Sequence, residues 1–144
     1  MLKLLNDSWE LGYVKDDPVR PYLPAAWRTT DGREVYCLQD FDVGVARAVV
    51  CVAYTNGVAI TEEELNRTDN PDTAMFYTVW SYEKGAGREI IFSTVEVIKR
   101  DKPYIKRFVT LSPLTEIAER FHLRNGAKFL RRGDTCQNFE YEVL

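Results

Sequence analysis

A chain of 144 residues, 45% hydrophobic and 12% aromatic, is expected to form one globular domain over residues 1–144 with a sizeable core. Nineteen basic residues stand against 22 acidic ones with no basic stripe, which argues against nucleic acid as the main partner. No apolar run approaches the roughly 18 residues that suggest a membrane span, and the first residues lack a signal-peptide core, so no membrane partner is expected.

Cysteines occur at 37, 51 and 136 only, without a CxxC pair, and there is one histidine. That set predicts neither a disulfide framework nor a metal site, and it places the protein in a reducing, cytoplasmic compartment. Cys51, inside an apolar stretch, reads as a core residue.

In chain order, residues 1–27 carry the weakest signals. Leu2, Leu4, Leu5, Trp9 and Leu11 suit a short helix or a strand, and Pro18, Pro21 and Pro24 impose extended or turn geometry. Thr30-Asp31-Gly32 marks a turn, after which residues 33–39 alternate as a strand and 40–44 form a loop. Residues 46–54, ARAVVCVAY, form a buried strand closed by Asn56-Gly57, so these two strands should pair antiparallel. Residues 62–65 suit one helical turn, and 66–72 form a polar loop.

The most informative stretch follows. Residues 74–81 are aromatic and β-branched, as in a strand packed on both faces. Glu83-Lys84-Gly85-Ala86-Gly87 interrupts it, and from Arg88 the apolar residues Ile90, Ile91, Val95 and Ile98 recur at helical spacing to about residue 100. Strand, glycine loop and helix together aim unpaired backbone N–H groups at an anion. Gly85 and Gly87 would let the backbone approach a phosphate. No Lys-Ser or Lys-Thr follows the second glycine and the three-glycine dinucleotide pattern is absent, so a nucleotide P-loop or Rossmann loop is not indicated. A plain strand-to-helix turn is the alternative.

Asp101-Lys102-Pro103 stops the helix. Residues 105–111 form the next strand, with 74–81 expected as its parallel neighbour, diverging toward the C-terminal ends. Ser112-Pro113 breaks that strand, a helix runs from 115 to about 124, and Asn125-Gly126 caps it. In this helix Ile117, Ala118 and Phe121 should form the buried stripe, with His122 half buried at its margin. Residues 128–132 and 138–143 then read as a hairpin around Gly133-Asp134. The whole is a mixed α/β sheet.

The loop from Tyr82 to Gly87 resembles the Q/R-x-x-G-x-G/A loop of the GNAT superfamily of acyl-CoA enzymes, with Tyr82 where Gln or Arg is usual. More narrowly, PYIKRFVTLSP (103–113) and RFHLRNGA (120–127) resemble the catalytic domain of malonyl-CoA decarboxylase, itself of GNAT fold. REVYCLQDF, AVVCVAYTNGVA and DTAMFYTVW resemble the preceding segments of that family, so the likeness runs over about 33–143. Two departures bear on activity more than on fold. The family's N-terminal helical domain has no counterpart here, and Phe121 follows Pro113 by only eight positions where the family has a long insertion.

This resemblance implies a GNAT fold with splayed central parallel strands and an acyl-CoA thioester as substrate, without a metal. Lys84, Gly85, Ala86, Gly87 and Arg88 would hold the pyrophosphate, and a main-chain N–H near Trp80 would polarise the thioester oxygen. His122 matches the family's catalytic histidine, and Ser112 matches its malonyl-contacting serine. Without the resemblance, His122 reads as a packed residue and Ser112 as a helix cap. Asn125 suits either a polar group at the cleft or a helix cap. The implied activity is decarboxylation of malonyl-CoA to acetyl-CoA. CoA-dependent N-acyl transfer and non-catalytic acyl-CoA binding are the alternatives, and a homodimer is left open.

Overall fold

The computed structural model describes residues 1–6, 9–40 and 44–142. Residues 41–43 of the expected loop and residue 143, the expected end of the last strand, lie outside them.

Among the described residues eight strands form one mixed sheet. β1 (Leu2–Leu4), β2 (Glu34–Gln39), β3 (Ala46–Thr55) and β4 (Thr73–Ser81) run antiparallel in that order. β5 (Arg107–Thr110) then lies parallel to β4, because α2 (Ala86–Asp101) supplies the crossover that two parallel neighbours need. β8 (Cys136–Tyr141) pairs along one edge with β5 and with the short β6 (Ser112–Pro113), and along the other with β7 (Lys128–Arg132).

The expected strand at 105–111 is thus two pieces of one track. Phe108 pairs with Tyr141 and Ser112 with Gln137, a single unbroken register against β8. β4 keeps no such company. Its pairing with β5 runs only from Thr73↔Arg107 to Phe76↔Thr110, with a last bond from Leu111 N–H to the Phe76 carbonyl. Beyond Phe76, β4 follows β3 while β6 follows β8, and the sheet opens between them.

Both faces of the sheet are buried. Tyr36, Val50, Val52 and Phe76 point to the face covered by α2, where Ile90, Ile91, Val95 and Ile98 meet them. Each such buried aliphatic side chain contributes roughly 1.5–3 kcal/mol relative to exposure. Val35, Val49, Cys51 and Tyr77 point to the other face, packed under Leu5, Leu23 and Trp27 of the N-terminal segment. That segment contains a 3₁₀ turn (Glu10–Asp16) and a single α-turn, α1 (Ala25–Arg28). A second 3₁₀ turn occupies Glu63–Asn66, close to where one helical turn was expected.

α3 (Glu116–Arg124) follows β6 and is capped at its start by Thr115, whose Oγ1 accepts from the Ala118 N–H at 3.2 Å. Its burial differs from the amphipathic expectation. Ile117 is 82% exposed, whereas His122 is 5% exposed and the most buried residue of the helix. The reason is what lies beneath. α3 roofs an open cleft at its first turn and packs on β8 only toward its end, so the apolar residue at the cleft mouth meets solvent.

Candidate functional site

The gap between β4 and β6 is the mouth of a cavity of about 520 Å³. Its walls are the second half of β4, Gly87 at the start of α2, Leu111, Ser112 and Pro113, and Ile117, Ala118, Phe121 and His122 of α3. Pro18 and Val19 close it from the opposite face of the sheet. Ser112 and His122 therefore line one cavity although ten positions apart, because β6 and α3 are consecutive elements folded around it.

At the glycine loop, Gly85 is the helix N-cap with φ of +85°, a left-handed conformation that glycine adopts without strain. The Ala86 N–H is taken by the Glu83 carbonyl at 3.2 Å. The amides of Gly87 and Arg88 belong to the first turn, where the helix offers them no carbonyl. Lys84 and Arg88 are exposed beside them, and the neighbouring carboxylates of Glu83 and Glu89 are both engaged by Arg47, at 3.0 and 3.1 Å. That leaves a turn of N–H groups flanked by cations, suited to an anion.

Gly87 has a further role. A Cβ there would sit 3.1 Å from Cζ of Phe121, so this glycine lets α2 and α3 approach closely. Tyr82, in the position where the GNAT pattern has Gln or Arg, receives a hydrogen bond from Trp80 Nε1 at 3.0 Å and donates to Asp16 at 2.6 Å. It ties the start of the loop to the N-terminal segment.

Trp80 lines the cavity with its side chain, but its N–H does not face the gap. Arg47 and Tyr82 form a hydrogen-bonded pair through the Tyr82 N–H at 2.8 Å, and the register pairs Val49 with Trp80 and Cys51 with Thr78. In an antiparallel ladder alternate pairs bond, so Trp80 and Thr78 direct their amides to β3. The amides aimed at the opening are those of Val79 and Ser81. A bulge precedes them: Cys51 faces Thr78 and Val52 faces Phe76, which leaves Tyr77 as the extra residue. The Tyr77 carbonyl is met by the Arg20 guanidinium.

Ser112 is buried, and its Oγ lies 2.8 Å from Oγ1 of Thr110. It does not cap α3, since Thr115 does. His122 stacks on Phe139 with ring centroids 5.5 Å apart and meets Phe121 edge-on. Its Nδ1 is 2.8 Å from the Tyr141 hydroxyl, which leaves Nε2 as the nitrogen available to a ligand. Burial pushes the imidazole down to a pKa of about 4, so the ring is neutral at physiological pH. Burial likewise raises the Tyr141 phenol. Tyr141 is thus a partner of His122 that sequence reasoning missed, hidden in an ordinary strand pattern. Asn125 does not line the cavity. It sits at the C-cap of α3 and accepts from Arg88 Nη1 at 3.3 Å, joining the end of α3 to the start of α2.

Among the described residues no group of His, Cys, Asp and Glu is arranged to hold a metal ion, and no helix is long and apolar enough to cross a membrane. The three cysteines are buried thiols.

A glycine loop opening the crossover helix, a bulged β4 and parallel strands splayed beyond their pairing define the GNAT, or acyl-CoA N-acyltransferase, fold, and solved GNAT acetyltransferases superpose on the chain. Within that fold the chain resembles malonyl-CoA decarboxylase. Against the enzyme from Agrobacterium vitis it shows a TM-score of 0.79 at 17% identity, covering 99% of this chain and 60% of that one. The Rhodopseudomonas palustris enzyme gives a TM-score of 0.76 at 18% identity with the same coverage. An aminoglycoside acetyltransferase, AAC(6')-Ib in complex with coenzyme A and kanamycin, gives 0.69 at 14%, covering 98% of this chain and 93% of that one. The chain therefore spans about 60% of the two decarboxylases, and the match to them includes the N-terminal segment where sequence showed no likeness. No family model matches the chain, and no curated protein matches its sequence.

Proposed function

We propose that this protein is an acyl-CoA enzyme that decarboxylates malonyl-CoA to acetyl-CoA. The observation that carries the reading is the single cavity in which His122, Ser112 and the free edge of β4 meet, with the glycine loop at its rim. The pyrophosphate would rest on the amides of Gly87 and Arg88, flanked by Lys84. The thioester would enter the gap, where the Val79 or Ser81 N–H donates to its oxygen as negative charge builds there.

Ser112 would hold the carboxylate out of the thioester plane, the orientation in which the electrons of the breaking carbon–carbon bond flow into the thioester. His122 is neutral in the free protein and cannot donate a proton in that form. The bound malonyl carboxylate is the counter-charge that reverses this, since an opposite charge within a few ångströms favours the imidazolium. Carbon dioxide then leaves, the bond electrons form the enolate, and the imidazolium proton passes to the α-carbon. Atoms and charge balance with one proton taken up from water.

N-acyl transfer would use the same loop and gap, with His122 serving the departing thiolate. The test is to incubate the protein with malonyl-CoA and separately with acetyl-CoA and an amine, following products by mass spectrometry. Acetyl-CoA and carbon dioxide formed from malonyl-CoA without an acceptor support decarboxylation. An acylated amine with malonyl-CoA unconsumed shifts the activity to transfer.

A further inference from the structure

The cavity passes through the sheet. On the α2 face it is lined by Phe76, Val79, Phe121 and His122, and on the other by Tyr77, Trp80, Pro18 and Val19. A ligand entering from the glycine loop thus meets the 17–20 segment at the far end. A second molecule approaching the reacting group from the far face would have to displace it.

That segment is built to stay. Asp17 is buried, and its carboxylate accepts four hydrogen bonds: from the N–H groups of Val19 and Arg20 at 2.8 and 2.9 Å, from Thr78 Oγ1 at 2.8 Å, and from Arg28 Nη1 at 2.8 Å. Arg28 is fully buried and also donates through Nε to the Leu23 carbonyl at 3.0 Å, through Nη2 to the Arg20 carbonyl at 2.7 Å and through Nη1 to Cys51 Sγ at 3.3 Å. Arg20 in turn reaches the bulge carbonyl of Tyr77 and, through Nε, Glu62 at 2.9 Å. The bond from Thr78 matters most, because it fastens the segment to the half of β4 that has no strand on its open side. With the Asp17 carboxylate held by four donors and a buried ion pair behind it, displacing the turn would leave a charge unpaired.

We infer that Pro18 and Val19 form a fixed back wall to the acyl site, with Val19 the residue that limits acyl length and denies a second substrate access from the far face. This rests on the reading of the cleft as an acyl-CoA site. It also gives a structural reason to favour decarboxylation, which needs no acceptor, over transfer.

The test is binding, so that it does not depend on turnover. Calorimetric titration of the wild type with acetyl-CoA and with hexanoyl-CoA should show hexanoyl-CoA at least tenfold weaker. In Val19→Gly, which keeps the N–H that Asp17 accepts, that ratio should fall toward one. Val19→Ala, milder in its effect on the turn, should move the ratio the same way by less. A wild type that binds both thioesters equally, or a ratio unchanged in both variants, overturns the wall and leaves the acyl-CoA reading standing. No binding of either thioester by the wild type overturns the acyl-CoA reading and the wall with it.

Discussion

The cleft has two walls of different origin. The wall on the α2 face is made of short-range pieces: a glycine loop, the helix it opens, and a nine-residue helix that follows β6 directly. The wall on the other face is held by a carboxylate and a guanidinium eleven positions apart, anchored to a threonine sixty-one positions away. The first brings Ser112 and His122 to the cavity, and the second brings Pro18, Val19, Tyr77 and Trp80. The difference is one of range: His122 and Ser112 lie on consecutive elements, whereas Asp17, Arg28 and Thr78 meet only once the N-terminal segment folds over β4.

Breaking the second wall should cost the most. Arg28→Ala leaves the Asp17 carboxylate buried without its cation, and Asp17→Ala does the converse, so either should destabilise the protein by about 3–5 kcal/mol. Denaturant titration measures this. A loss below about 1 kcal/mol would mean the pair is solvated and the wall is soft.

Next in size is a pH effect confined to the first wall. His122 has a pKa of about 4 folded against an ordinary 6.5, so between these values the unfolded chain takes up a proton that the folded one refuses. Stability should therefore fall as pH drops through that window, by about 3 kcal/mol in all. Asp72 and Asp101, whose carboxyls are held below their ordinary value by hydrogen bonds to Gly57 and Arg100, lose their contribution only at lower pH. His122→Gln should flatten the upper part of the melting-temperature curve between pH 7 and 5. An identical curve would show that His122 is already solvated in the folded state.

Activity should respond to the first wall as well. His122→Ala should lower kcat by roughly 100-fold or more with CoA affinity little changed, which separates a proton donor from a packing residue. If Ser112 holds the malonyl carboxylate as proposed, Ser112→Ala should reduce malonyl-CoA turnover more than CoA binding. A smaller effect is expected at Lys84: Lys84→Glu should weaken CoA roughly tenfold, as expected for reversing one exposed charge beside a pyrophosphate. Full turnover by His122→Ala would show that His122 is a packing residue and not the proton donor.

The two walls were also unequally legible. The strand at 74–81, the glycine loop and both helices stand out because each rests on local spacing, and the parallel pairing of β4 with β5 follows from the crossover length. Val79 and Ser81 were obscured because a strand's parity is set by its partner, here through the Tyr82–Arg47 bond. Tyr141 was missed because a strand residue near the C-terminus carries no sign of meeting His122. Ile117 was misplaced because helical spacing names an apolar face without saying whether a core or an open cleft lies under it. The wall at 17–20 left almost no trace: Asp17 looks like a turn residue beside a proline, and Arg28 like a surface charge, until the fold buries them together.

Whether an acyl-CoA sits with its pyrophosphate on the start of α2 is decided by calorimetric titration of CoA into the wild type, Gly85→Asn and Gly85→Asp. Both side chains tolerate the left-handed backbone at this position, so strain is matched and only charge differs. One saturable site is expected in the wild type, with near-normal affinity in Gly85→Asn and binding abolished in Gly85→Asp. No binding by the wild type, or equal affinity in the two folded variants, would contradict that placement.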